Sequence, residues 1–334
     1  MREVQVRAEI LRSAIFAACL AIGVAAQMTP ADAKWISINI AGVETLPSGV
    51  NDKGVVAGTY LGSDDHDHGF LRAPDGTITS FDAGQSGNTA VAAINTNGIV
   101  TGSFGDGGFL RLPDGAITTF AVAGAQVTVP AGINDKGAIV GSWYKFDGGY
   151  GGFLRTAGGK LKTFSVPGAT DTYAVAINGN GVIAGDYVDA KAVPHGFVRN
   201  ADGSFTTFSI PNVDALYFQT AAIDASGQIV GSYVTDPDHY YSDGFLRDMD
   251  GTITVLDLGS GGNTTALGIN DGGQIVGGYD NHGFLRDVDG TITTLDYPGT
   301  DNGTTAVSID KKGKITGEYL GCSAYSFCGF LLKQ

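Results

Sequence analysis

Charge is scarce in this chain. Asp, Glu, Lys and Arg together make up 16% of 334 residues, against about a quarter in an ordinary soluble domain. The shortage falls hardest on the cations, with 20 Lys and Arg against 34 Asp and Glu and a formal charge of −14. A surface of that sign repels phosphate backbones and anionic lipid, so nucleic acid and membrane surfaces are poor partners for it. Proline is also sparse, at 10 residues, which excludes collagen and proline-rich linkers. The apolar run Ala14 to Ala26 is too short to cross a hydrocarbon core of about 30 Å. What the chain has in excess is glycine, 52 residues, roughly double the usual share. Glycine costs about 1 kcal/mol in a helix interior, so coiled coils and helical bundles are disfavoured. A turn-rich β protein remains.

The first 33 residues read as an export signal. Arg2, Arg7 and Arg12 precede the apolar run, and Ala31-Asp32-Ala33 offers a small-x-small cleavage site. Cleavage after Ala33 is the first expectation, and cleavage after Ala26 the second. The arginines are not adjacent, so a Sec-type route to the periplasm or the exterior is expected rather than a twin-arginine one. No membrane insertion is expected after the signal is removed. Two cysteines remain beyond it, Cys322 and Cys328. In an exported protein such a pair is expected to form a disulfide. Closing so short a loop would constrain the unfolded chain by roughly 2 kcal/mol on the entropy model.

Self-similarity dominates residues 34–334. An I-N-x-x-G motif occurs seven times, at Val50-Asn51, Ile94-Asn95, Ile133-Asn134, Ile177-Asn178, Ile223-Asp224, Ile269-Asn270 and Ile309-Asp310. A G-F-L-R motif alternates with it, centred on Phe70, Phe109, Phe153, Phe197, Phe245, Phe284 and Phe330. Each unit reads as four short strands. Strand a runs into the I-N pair, and a Gly/Asn turn leads to strand b, such as Ala138 to Tyr144. Strand c is the G-F-L-R element, and an Asp-Gly turn leads to strand d, such as Ile117 to Phe120. Four antiparallel strands at this period make a propeller blade, so the expectation is a single all-β domain with seven blades. The seventh unit ends after strand c. Residues 35–40 resemble strand d, and they are expected to complete the last blade and close the ring.

The I-N-D-x-G, G-S-x and H-G-F-L-R-x-x-D-G elements resemble the bacterial extracellular repeats called the HAF family. The core here is His68-Gly69-Phe70, His195-Gly196-Phe197 and His282-Gly283-Phe284. The match covers about residues 45–334. It departs in placing Gly where the family name has Ala, and in losing the His from four units. The resemblance implies an exported repeat protein and carries over no catalytic residue.

Spacing separates scaffold from working surface. From the Ile of I-N to the aromatic that ends strand b is ten residues in every unit, as in Ile133 to Trp143. The b–c connection varies widely and the d–a connection slightly. Those two lie at the same end of an antiparallel blade, so one end is uniform, the other is diversified, and function is expected at the diversified end. Residues that recur from unit to unit are expected to be structural. They include the arginines of G-F-L-R, Trp143, His68, His195 and His282.

The singular residues fall in long b–c loops and supply the ligand-binding candidates. These are Asp65, His66 and Asp67 in blade one, Tyr150 in blade three, and Asp236, Asp238, His239, Tyr240 and Tyr241 in blade five. Carboxylates and imidazoles at alternate positions suit a divalent cation, although no recognised metal loop is completed. No other cofactor is indicated. Tyrosines beside carboxylates suit a glycan, a peptide or another protein. No G-x-S-x-G elbow is present, and no Ser/His/Asp set or carboxylate pair stands out from the repeat. A non-enzymatic binding or scaffold propeller is therefore the first expectation. A propeller hydrolase or lyase acting at the central channel on a carbohydrate or small molecule is the alternative.

Overall fold

The computed structural model describes residues 33–40, 44–84, 88–146, 148–235, 241–258, 263–300, 303–323 and 326–333. The expected export signal, apart from Ala33, lies outside the described residues, as do Asp236, Asp238, His239 and Tyr240. Seven four-stranded antiparallel sheets follow one another along the chain, each running a to d in sequence order. Blade one is Thr45–Val50, Val56–Leu61, Asp67–Arg72 and Ile78–Phe81. The last sheet is the exception. Its inner three strands are Thr304–Ile309, Ile315–Ser323 and Ser326–Lys333, and its outer strand is Lys34–Ile38 from the other end of the chain. Ser37 pairs with Phe330 and Ile38 with Gly329. The expected closure is thus the observed one, with the strand placed a residue earlier at its start and two earlier at its end than 35–40.

The G-F-L-R motif is explained by what faces it across strands b and c. The Phe of strand c is the register partner of a strand-b glycine in every blade, as in Gly141 with Phe153 and Gly185 with Phe197. A Cβ on Gly141 would collide with the Val129 carbonyl and the Phe153 ring. The missing side chain lets the ring lie flat on the sheet, and all seven of these phenylalanines are fully buried. Each such ring contributes about 1.5–3 kcal/mol through its burial. The turn glycine of I-N-x-x-G is required for a different reason, since Gly137 sits at φ +80°, where any residue with a Cβ is strained.

The inner strands line the axis. Each contains a bulge, between Pro130 and Gly132 in blade three and at the matching place in the others. The residue after the bulge is always small, as Gly49, Ala93, Gly132, Ala176, Ala222, Gly268 and Ser308. Neighbouring inner strands approach too closely for more, because a Cβ on Gly132 would lie 2.9 Å from the Val175 carbonyl.

Two side chains bolt blade to blade. The Asn of I-N accepts from its own turn and donates onward: Asn134 Oδ1 takes the Lys136 and Ala138 N–H groups, and Nδ2 donates to the Asn178 carbonyl at 3.0 Å. The same onward bond is made by Asn51, Asn95, Asn178 and Asn270. The Arg of strand c lies over the strand-d Phe of the preceding blade. Arg111 is 4.9 Å from the Phe81 centroid, Arg155 5.1 Å from Phe120, Arg199 4.9 Å from Phe164 and Arg247 4.9 Å from Phe208. The repeated arginines are therefore packing elements between blades, with Nη1 donating to the next carbonyl along the chain.

Candidate functional site

The diversified end carries the b–c and d–a connections, and three features are built there. In blade one, His68 lies between two carboxylates, with Nδ1 2.7 Å from Asp82 Oδ1 and Nε2 3.0 Å from Asp64 Oδ1. Those bonds raise the His68 pKa, Asp64 contributing most, and the His68 bond holds the Asp64 carboxyl below the usual carboxylate range. His66 Nδ1 lies 2.8 Å from the Asp64 carbonyl, and Asp65 holds a left-handed φ of +59°. The Asp67 N–H donates to Asn88. Among the described residues no side-chain contact ties Asp65 or Asp67 to the imidazoles, and no group of three or more His, Cys, Asp or Glu is arranged to hold a metal ion.

In blades three and four an aromatic row runs inward from the loop. Phe146 is 6.0 Å from Tyr144, Tyr144 5.4 Å from Tyr150, and Tyr150 5.6 Å from Tyr173 of the neighbouring inner strand. Tyr150 is thus part of a stack that joins two blades. In blade five, Tyr241 and Tyr217 are exposed, at 42% and 50%. With Phe146 they are the exposed aromatics among the described residues, and all three lie at the diversified end.

The third feature is the seam between blades four and five, which sequence reasoning passed over. A cavity of about 140 Å³ opens there, lined by His195, Ser209, Ile210, Val213, Asp214 and Phe218 among others. His195 Nδ1 is 2.8 Å from Ser209 Oγ, and its Nε2 is 3.5 Å from Asp189 Oδ2. The sequence does not single out these three residues as a set, because His195 belongs to the repeat and its partners are distant in the chain. The imidazole nonetheless follows a repeated pattern. His282 meets Asp296 at 2.8 Å as His68 meets Asp82, and each imidazole stands against the strand-b tyrosine, at 5.1 to 5.4 Å. Blade five varies it further, with Asp243 in the His position. Burial raises the Asp243 carboxyl, with Asp257 adding to it, while burial and Asp243 push Tyr233 up to about 12.

The uniform end also holds a cluster that the sequence did not flag. The residue after Asn in the I-N-x-x-G turn differs from blade to blade, and in three blades it is Asp52, Asp135 or Asp271. Lys311 of blade seven reaches Asp271 at 3.1 Å and Asp135, four blades back, at 3.8 Å, while its N–H donates to Asp52. The hydrogen bond to Asp271 and the three carboxylates raise the Lys311 pKa. The available signal was a variable position inside an invariant motif.

No family model and no curated protein matches this chain. Solved structures do. A catalytically inactive virginiamycin B lyase from Staphylococcus aureus, with quinupristin, is 16% identical at TM-score 0.64, covering 91% of this chain and all of that one. A streptogramin B lyase is 12% identical at TM-score 0.61, covering 90% and 97%. YCF48 bound to D1 peptide is 9% identical at TM-score 0.52, covering 92% and 97%. The chain is a seven-bladed β-propeller. At these identities the likeness extends to the fold and no further.

Proposed function

We propose that this propeller is an exported, non-enzymatic binding or scaffold protein that engages a glycan, peptide or protein ligand through its b–c/d–a end. The observation that carries this reading is the segregation of surface chemistry. The exposed aromatics Phe146, Tyr217 and Tyr241 and the blade-one loop residues Asp65, His66 and Asp67 stand at the diversified end. Aromatic rings at an exposed rim provide apolar area with little conformational entropy to lose on binding. The HAF-like motifs, the export signal and a Cys322–Cys328 tie across the last hairpin belong to the same proposal. Cys328 is fully buried beside Phe330 and Leu332, and the Cys322 side chain lies outside the described residues.

Glycan and peptide arrays probed with the full chain test the reading. Signal is expected, and shortening the loop from Asp236 to Asp243 should lower it. If removal of both that loop and the one from Ser63 to His68 leaves every interaction intact, the diversified end is not the binding surface.

The alternative, a propeller hydrolase or lyase, draws on Asp189, His195 and Ser209 and on the Asp243–Asp257 pair. Solved propellers of similar shape include lyases. Binding remains the preferred reading because His195 repeats a pairing that blades one and six also make with Asp82 and Asp296.

A further inference from the structure

Six of the seven d–a crossovers are closed by the same bond. The first buried threonine of strand a accepts the backbone N–H of the residue that leaves strand d or follows it closely. The pairs are Ile40 with Thr45, Ala83 with Thr89, Val122 with Thr128, Val166 with Thr172, Leu258 with Thr264 and Tyr297 with Thr304, at 2.9 to 3.2 Å. Blade five breaks the series. Phe218 stands where the threonine should be and carries no hydroxyl. The matching donor, the N–H of Ile210, is buried and has no acceptor among the described residues. Orphaned buried N–H groups are rare, because leaving one unpaired costs roughly 1–3 kcal/mol.

Two further departures occur at the same seam. Ser209 replaces the aspartate that faces His68 and His282 in blades one and six. The crossover is also the longest of the d–a connections, with Phe208 to Ile223 spanning 15 residues against 13 for Phe120 to Ile133. Together the changes open the cavity, which is lined by Ile210, Ser209, Asp214, Val213 and Phe218. Its size, about 140 Å³, is well under the roughly 300 Å³ of a pocket that encloses a whole ligand. It suits one substituent of a larger molecule.

From this geometry we infer that the blade four–five seam binds the acetamido group of an N-acetylated sugar, an inference that rests on the binding reading above. An acetamido group needs a donor for its carbonyl, an acceptor for its N–H and an apolar surface for its methyl. Ile210 N–H supplies the first. The Asp214 carboxylate, or Ser209 Oγ held by His195, supplies the second, and Val213 with Phe218 supplies the third. A charged carboxylate or phosphate is disfavoured by Asp214 in the wall, by Asp189 behind His195 and by the −14 charge of the chain. A sugar is favoured over an acetylated peptide because Leu216 and Tyr217, directly before Phe218, and Tyr241 of the same blade present exposed apolar faces on which a pyranose ring can lie.

The test is titration of the full chain with a β-1,4-linked N-acetylglucosamine oligomer, with the cello-oligomer of equal length as the neutral control lacking the acetamido group. An acetylated tripeptide forms the third arm. The N-acetylated oligomer should bind at least tenfold more tightly than the other two, and the Ile210 amide resonance should move most. Phe218→Thr supplies the hydroxyl present in the six other blades but gives up the ring packed on Phe208 and Phe245, so it should lower the melting temperature and lose at least tenfold in affinity. Ser209→Asp should weaken binding in the same way. Equal binding of the two oligomers, tighter binding of the peptide, or full affinity in Phe218→Thr overturns the inference. If arrays show a ligand lost on shortening the blade-five loop while this oligomer fails to bind, the seam assignment falls and the binding reading stands. If no array ligand is found, both fall.

Discussion

Asparagine in the I-N pair performs two tasks, closing its own turn through Oδ1 and tying the next blade through Nδ2. Asp224 and Asp310 keep only the first. Asp310 has Lys314 Nζ at 2.9 Å, whereas Asp224 has no cation beside it among the described residues and is served by Ser226, Gly227 and Gln228. Asp224→Asn should therefore restore the missing bond to blade six and remove a buried charge, stabilising the fold by about 1 kcal/mol. Chemical denaturation checks this, and a lower midpoint would mean that the Ser226 bond outweighs the gain.

His68 gives a pH signature. Its folded pKa is raised by Asp64 and then Asp82, so its contribution to stability is complete below the unfolded value near 6.5. That contribution vanishes as pH rises through the folded value. His68→Gln should lower the melting temperature at about pH 5.5 and change it little at about pH 9. A difference that grows with pH would contradict the pairing.

Strands were the most legible elements. Turn glycines, the G-F pairs and the displaced seventh strand d are all written in fixed spacings, so the blades and the ring closure could be read from the chain alone. The N-terminal strand is anchored by Ile38, which is fully buried, and by Trp35, packed 5.0 Å from Phe330 and 5.6 Å from Tyr297. Deleting residues 34–42 should lower the melting temperature sharply, since it strips the last blade of its outer strand. An unchanged melting curve would show that closure adds nothing. The inter-blade contacts were not legible, because a partner on the next blade has no fixed spacing to reveal it. Arg155 over Phe120 is one such contact, and Arg155→Met should lower stability by about 1–2 kcal/mol through loss of a cation–π pair in a partly desolvated seam. Denaturation of the parent, Arg155→Met, Phe120→Leu and the double variant completes the cycle that isolates the pair.

At the scale of the ring, the two ends differ in a way that the repeat only half revealed. The uniform end is a scaffold, yet it holds Lys311 among Asp52, Asp135 and Asp271, joining blades that are not neighbours. Lys311→Met should lower the melting temperature at neutral pH and low salt. The gap should narrow at high pH, as Lys311 loses its proton through its raised folded pKa, and in high salt as the attraction is screened. A gap independent of both would exclude an electrostatic role. The candidate site at the diversified end was legible in its loops and missed in its seam. Position 218 carries a phenyl ring where its six counterparts carry a threonine hydroxyl, and the consequence appears only when Ile210 is seen without an acceptor.

Whether the ligand is met at the diversified end is tested most directly by a hydrogen-exchange map of the full chain, with and without the glycan or peptide selected on the arrays. Protection is predicted at the b–c and d–a connections, strongest from Ser209 to Phe218 and around Tyr241. Protection centred on the I-N-x-x-G and Asp-Gly turns would contradict the assignment and move the binding surface to the opposite end of the ring.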